Sequence, residues 1–192
     1  MSSFDLWSFY HNPIFVASDL RQVPDTQEVF LDPESDMSVI VEILQRVDAE
    51  DAKDAVMLVR PYLCASFANG WHFRFHFDSL ADDNSASSRK ILDVVLPAES
   101  RTTTPSETPH PIILHGEQTV GKFNSTIPDH VRLFVALFRI KVKRVDLVLT
   151  VNIPTSTAGD SQRDDDVLLQ NSRQTFDRAA GSLKILDSDL FA

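Results

Sequence analysis

Residues 131–154, VRLFVALFRIKVKRVDLVLTVNIP, constrain this chain more than any other stretch. From 131 to 143 apolar and polar residues alternate over most of the length, a turn falls near Lys143-Arg144, and DLVLTVNI then runs until Pro154 ends it. Two such runs joined by a short turn pair antiparallel, so the chain must be built around a sheet. Upstream, IILHGEQTVGKF from Ile112 reads as a hairpin turning near Gly116, residues 89–96 read as a strand, and EVFLD at 28–32 reads as a shorter one. In the strand at 131–143, Phe138, Ile140 and Val142 are expected to face the core, with Arg139, Lys141 and Lys143 on a solvated face, a binding role for them being the alternative.

Helix signals are grouped around these strands. Asp32 is a suitable N-cap, Pro33 needs no N–H at the first helical position, and Glu34 and Asp36 suit the positive end of a helix dipole. Val39, Ile40, Ile43, Leu44 and Val47 follow at three- and four-residue steps, which predicts a helix over 33–47. A second helix is expected from Ala49, fading after Val56 before Pro61. A third spans 164–180, with Asp164, Asp165 and Asp166 as helix N-terminal charge and Gly181 as its stop. LKILD at 183–187 reads as a last strand. Residues 71–77 are ambiguous, because Trp71, Phe73, Phe75 and Phe77 alternate as in a strand while Phe77, Leu80 and Ala81 have helical spacing. Pattern alone leaves both open. The Ser/Thr/Pro-rich segment 98–111 is expected to be a flexible loop, and 155–163 a polar linker. Hairpin strands with helices around them make the fold class α+β.

With 192 residues the chain fits one domain with a proper core. Its single cysteine, Cys64, excludes an internal disulfide and a multi-thiolate zinc site. The net charge is −10, and it is unevenly placed: residues 1–54 hold twelve acids and three bases. A partner with a basic face is expected, and nucleic acid is not. No apolar run is long enough for a bilayer, and the N-terminus shows neither a secretory nor a transit pattern, so no membrane span is expected and the cytoplasm or nucleus is.

Motifs for catalysis are absent. There is no GxSxG elbow, Walker A sequence or GxGxxG, and five glycines leave little material for a phosphate-cradling loop. Nothing local activates Cys64, so a small core residue is the ordinary reading. His72 and His76 have helical metal-ligand spacing, but no Glu lies between them and no third ligand follows. No catalytic residue, metal or cofactor is therefore expected. The unusual local feature is LRQVPDTQEVF, where Pro24 restricts Val23 and Asp25-Thr26 favours a turn, which sets Asp25 and Glu28 at a strand entry on an acidic exposed corner.

The segment DLRQVPDTQEVFLDPESDMSVIVEILQRV resembles the signature of the Ran guanine nucleotide release factors, the Mog family. IILHGEQTVGKFN, VALFRIKVKRVDLVLTVNIP and LKILDSDLFA agree with the family in the same order, over about 17–192. The resemblance implies a central antiparallel sheet flanked by helices on both faces, an architecture shared with lumenal photosystem proteins. It also implies a single Ran-binding domain over 1–192 that binds the small GTPase Ran as a monomer, promotes nucleotide release without covalent catalysis and supports nuclear protein import. Asp25 and Glu28 would be its Ran contacts, with Arg21, Pro24 and Gln27 as supporting motif residues. An adaptor of the same fold holding another partner is the competing reading. Two departures from the family stand out: residues 1–16 lack the expected Gly-Gly strand, and 57–73 read as an insertion between EDAKDAV and RFHFDSLADDN. The insertion is expected to pack irregularly.

Overall fold

The computed structural model describes residues 15–46, 70–97, 108–121, 128–155, 162–187 and 191. The helix expected from Ala49, the insertion up to residue 69, Cys64, most of 1–16 and most of 98–111 lie outside that set. Seven strands form one antiparallel sheet: β1 (Phe15–Val16), β2 (Gln27–Leu31), β3 (Ser38–Gln45), β4 (Ala86–Val95), β5 (Ile112–Val120), β6 (Asp129–Ile140) and β7 (Val145–Thr155). Their spatial order is β1-β2-β3-β7-β6-β5-β4. Helix α1 (Gly70–Asp83) lies on one face and α2 (Gln162–Ser182) on the other. The α+β architecture with helices on both faces is as the resemblance implies.

The expected hairpin of 131–154 is the centre of the sheet. β6 and β7 pair from His130–Thr155 to Ile140–Val145, and the chain turns over 141–144. Alternation on β6 assigns its side chains to the two layers. Leu133, Val135 and Leu137 join Phe77, Leu114 and Val148 beneath α1, while Phe134, Ala136 and Phe138 join Val39, Leu149, Val151 and Phe176 beneath α2. Burying a side chain of phenylalanine or leucine size stabilises by about 1.5–3 kcal/mol, so both helices are held mainly by these two apolar layers.

Five expectations are corrected. The helix over 33–47 is instead a turn followed by β3. Asp32 accepts from Glu34 N (3.0 Å) and Ser35 Oγ (2.7 Å), and its own N–H reaches Met37 O (3.2 Å), so the side chain read as an N-cap closes the β2–β3 hairpin. SVIVEILQ then lies between β2 and β7 with a helix over each face, where apolar residues are needed on both sides and the two-residue period is lost.

Gly116, read as a turn, sits inside an unbroken β5, where a Cβ would lie 2.6 Å from two ring carbons of Phe77. The glycine is there to admit that ring. α2 runs through Gly181 to Ser182, and residues 183–187 form no strand. Leu183 is buried and Ile185 packs on the α2-side core, but Ile185 N bonds Thr108 Oγ1 (2.7 Å), so alternating burial occurs here without a strand partner.

The fifth correction concerns the solvated face. Arg139 Nε donates to Asp146 Oδ1 (3.2 Å), and His76 Nε2 of α1 meets Asp146 Oδ2 at 3.0 Å, with Asp146 fully buried. Arg139 is thus part of an ionic cluster between α1 and the sheet. Lys141, Val142 and Lys143 belong to the turn, and Val142 is exposed rather than core-facing. The ambiguity at 71–77 resolves as helix, because α1 starts at Gly70 and sets His76, Phe77 and Ala81 against the sheet.

Candidate acidic docking corner

The corner is built where β1 hands over to β2. A single 3-10 turn, Ala17–Asp19, follows β1, and both Leu20 N (3.0 Å) and Arg21 N (2.9 Å) bond Ala17 O. The chain then runs extended to Pro24. Gln27 N donates to Pro24 O (2.9 Å), which closes a β-turn with Asp25 and Thr26 at its centre. Ile43 N donates to Thr26 O (2.8 Å), so this turn is fastened to β3 before the regular ladder begins at Gln27–Glu42.

Each anticipated site residue occupies a distinct place on this frame. Arg21, Pro24 and Asp25 are exposed; Gln27 and Glu28 are half-buried on β2. Successive strand side chains point to opposite faces, so Gln27 lies on the α1 side opposite Glu42, and Glu28 on the α2 side opposite Val41. The fold brings Asp25 and Glu28 to one turn and strand entry without putting Gln27 beside them.

Glu28 is oriented by a residue that the sequence reading missed. Ser18 Oγ donates to Glu28 Oε2 (2.9 Å), and Val29 N donates to Glu28 Oε1 (3.1 Å). Both carboxylate oxygens are engaged, so the rotamer is set before any partner arrives. Ten residues separate Ser18 from Glu28, and only the return of the chain through β1 and the 3-10 turn joins them. Glu42 differs from these acids. Burial, and secondarily the Asp83 carboxylate, push its carboxyl above the ordinary range, with His76 opposing.

Among the described residues no group of three or more His, Cys, Asp or Glu side chains is arranged to hold a metal ion. His76, half of the histidine pair noted in the sequence, is occupied by Asp146. No helix of the described residues is long and apolar enough to cross a membrane. The corner offers one oriented carboxylate in Glu28, an exposed turn carrying Asp25 and, in Leu20 just after the 3-10 turn, an apolar side chain 68% exposed. That arrangement suits protein docking.

Comparison with known proteins places the whole chain rather than the corner alone. The chain is 28% identical over 195 residues to the Ran guanine nucleotide release factor of Danio rerio, covering 97% of this chain and 94% of that protein. It is 31% identical over 188 residues to the nuclear import protein mog1 of Schizosaccharomyces pombe, covering 92% and 90%. Its fold matches the crystal structure of the Saccharomyces cerevisiae Ran-binding protein Mog1p with a TM-score of 0.63 at 23% identity, covering 93% of this chain and 89% of the other. Residues 12–154 match the model of the Ran-interacting Mog1 protein family, and they include the corner and all seven strands except the last residue of β7. The chain belongs to the Ran-interacting Mog1 protein family.

Proposed function

We propose that this protein, working in the nucleus and cytoplasm, binds the small GTPase Ran through Asp25 and Glu28 and promotes release of its guanine nucleotide, supporting nuclear protein import. The observation that carries the reading is the Glu28 carboxylate, aimed by Ser18 and Val29 N next to the exposed Asp25 turn. The names of the relatives, a Ran guanine nucleotide release factor and a nuclear import protein, support Ran as the partner.

Release needs no covalent step. A protein that binds the empty GTPase more tightly than the loaded one lowers nucleotide affinity by the same factor, because the two binding equilibria are linked. The Asp25 and Glu28 carboxylates compete with nucleotide phosphates for the basic groups of the GTPase, and the acid-rich first part of the chain steers encounter with a basic surface. One monomer per GTPase is sufficient for this.

The test is titration of the protein into Ran in two states, nucleotide-loaded and nucleotide-free, by calorimetry. Tighter binding to the empty form is expected. Equal affinity for both forms, or no binding to either, would overturn the release mechanism.

A further inference from the structure

The turn between β6 and β7, Lys141-Val142-Lys143-Arg144, is the basic feature left unexplained by the acidic corner. Two backbone bonds relate them. Ile43 N holds Thr26 O in the acidic turn, and Arg46 N holds Arg144 O (3.1 Å) in the basic one, so the end of β3 is a rigid spacer between them. β2 starts, β3 ends, β6 ends and β7 starts at this same end of the sheet. Neighbouring strands are about 4.8 Å apart, which puts the basic turn roughly 10–15 Å from the acidic corner. A standard interface, roughly 800 Å² per partner, covers both.

The turn is also shaped for contact. Lys141 and Arg144 are exposed, Arg144 has φ 57°, and Val142 stands 71% exposed between the charges. Leu20 plays the same part in the acidic half. Each half thus pairs charged side chains with one exposed aliphatic anchor.

We infer that Lys141, Val142 and Arg144 form the basic half of a two-signed docking surface, and that they take an acidic segment of the same GTPase whose basic patch is held by Asp25 and Glu28. The inference rests on the reading of the acidic corner given above. One sign alone would admit many partners; two opposite signs at a fixed spacing reject any surface of uniform charge. A phosphate-rich surface broad enough to cover both halves is disfavoured for that reason, because it would lay like charge directly on the carboxylates about 10–15 Å from the turn, beyond the roughly 8 Å over which the basic turn could offset them at physiological salt.

The experiment measures Ran affinity at low and physiological salt for the parent chain, Lys141→Glu/Arg144→Asp and Asp25→Lys/Glu28→Lys. Aspartate is chosen at 144 because it tolerates the left-handed backbone. The turn variant is expected to bind about ten-fold more weakly at low salt and to lose part of the salt dependence. The neutral variant Lys141→Gln/Arg144→Asn should fall between it and the parent, and circular dichroism should match the parent for both. Unchanged affinity and salt dependence in the turn variants would overturn the inference while leaving the acidic corner standing. Undiminished binding by Asp25→Lys/Glu28→Lys would refute the acidic corner, and this inference with it. Capture of the parent chain by phosphatidylserine vesicles, lost in the turn variant while Ran affinity is unchanged, would reassign the turn to membrane contact and also overturn the inference.

Discussion

Replacing Gly116 with alanine tests how α1 is seated. The added methyl group would lie 2.6 Å from both Cε2 and Cζ of Phe77 and 3.1 Å from the carbonyl oxygen of Lys90. Neither neighbour moves easily. Phe77 is 1% exposed within the α1-side core, and Lys90 O belongs to the β4 backbone. The ring must therefore retreat, which lifts α1 from Leu114 and Val135. Overpacking of this kind costs about 1–3 kcal/mol. For a chain of this length each kcal/mol lowers Tm by roughly 2–4 °C, so a fall of about 4–8 °C corresponds to the middle of that range. A stability effect alone would not separate close approach from a turn that needs glycine. The double variant Gly116→Ala/Phe77→Leu does so, because the smaller side chain makes room for the methyl group. Measured by urea unfolding, the double variant should be markedly more stable than the sum of the two single effects predicts. Additive costs, or a neutral Gly116→Ala, would refute the close-packing account.

Three further outcomes follow from polar side chains, two of them buried and one at the exposed corner. His115 is 3% exposed, wedged edge-on against Phe134 and Phe176, with Asp93 at 3.8 Å from Nδ1 and Asp177 at 3.7 Å from Nε2. Burial first, then Arg173, lowers its pKa below the ordinary 6.5. Its contribution to stability is therefore complete above pH 6.5 and is lost as pH falls from there towards the lowered folded value; His115→Gln should flatten that part of the stability profile. For Asp146, burial favours the neutral acid, yet His76 and Arg139 hold the pKa below 3.8; its contribution is present above that value and lost as pH falls below it. Asp146→Asn should cost on the order of 3 kcal/mol at neutral pH in urea unfolding, by leaving Arg139 opposite an uncharged group. Ser18→Ala should weaken Ran binding several-fold in the parent chain but not in a Glu28→Gln background, where the carboxylate it orients is already gone; equal effects in both backgrounds would dismiss its positioning role.

What was legible in the sequence depended on whether a signal was local. The β6–β7 hairpin and the Pro24–Gln27 turn were readable because turn chemistry and alternation lie within a few residues. Ser38–Gln45 was not, since Asp32-Pro33 can open a helix or close a hairpin, and only pairing with Leu147–Val151 more than a hundred residues away decides between them. Gly116 misled for a related reason: a glycine marks a turn or a close approach, and the approaching ring belongs to α1. Arg139 looked solvent-facing because its partners, Asp146 and through it His76, come from another strand and a helix. At the docking corner the carboxylates were visible in PDTQE. The hydroxyl that orients Glu28 was hidden by the intervening chain.

In the proposed function the Asp25 and Glu28 carboxylates drive nucleotide release from Ran. The most direct measurement is the rate at which fluorescent GTP leaves Ran in the presence of substoichiometric protein, for the parent chain and for Asp25→Lys/Glu28→Lys with a matching circular dichroism spectrum. Many turnovers of accelerated release are expected from the parent chain and none from the variant. Equal acceleration by both, or acceleration by the parent only at stoichiometric amounts, would contradict it.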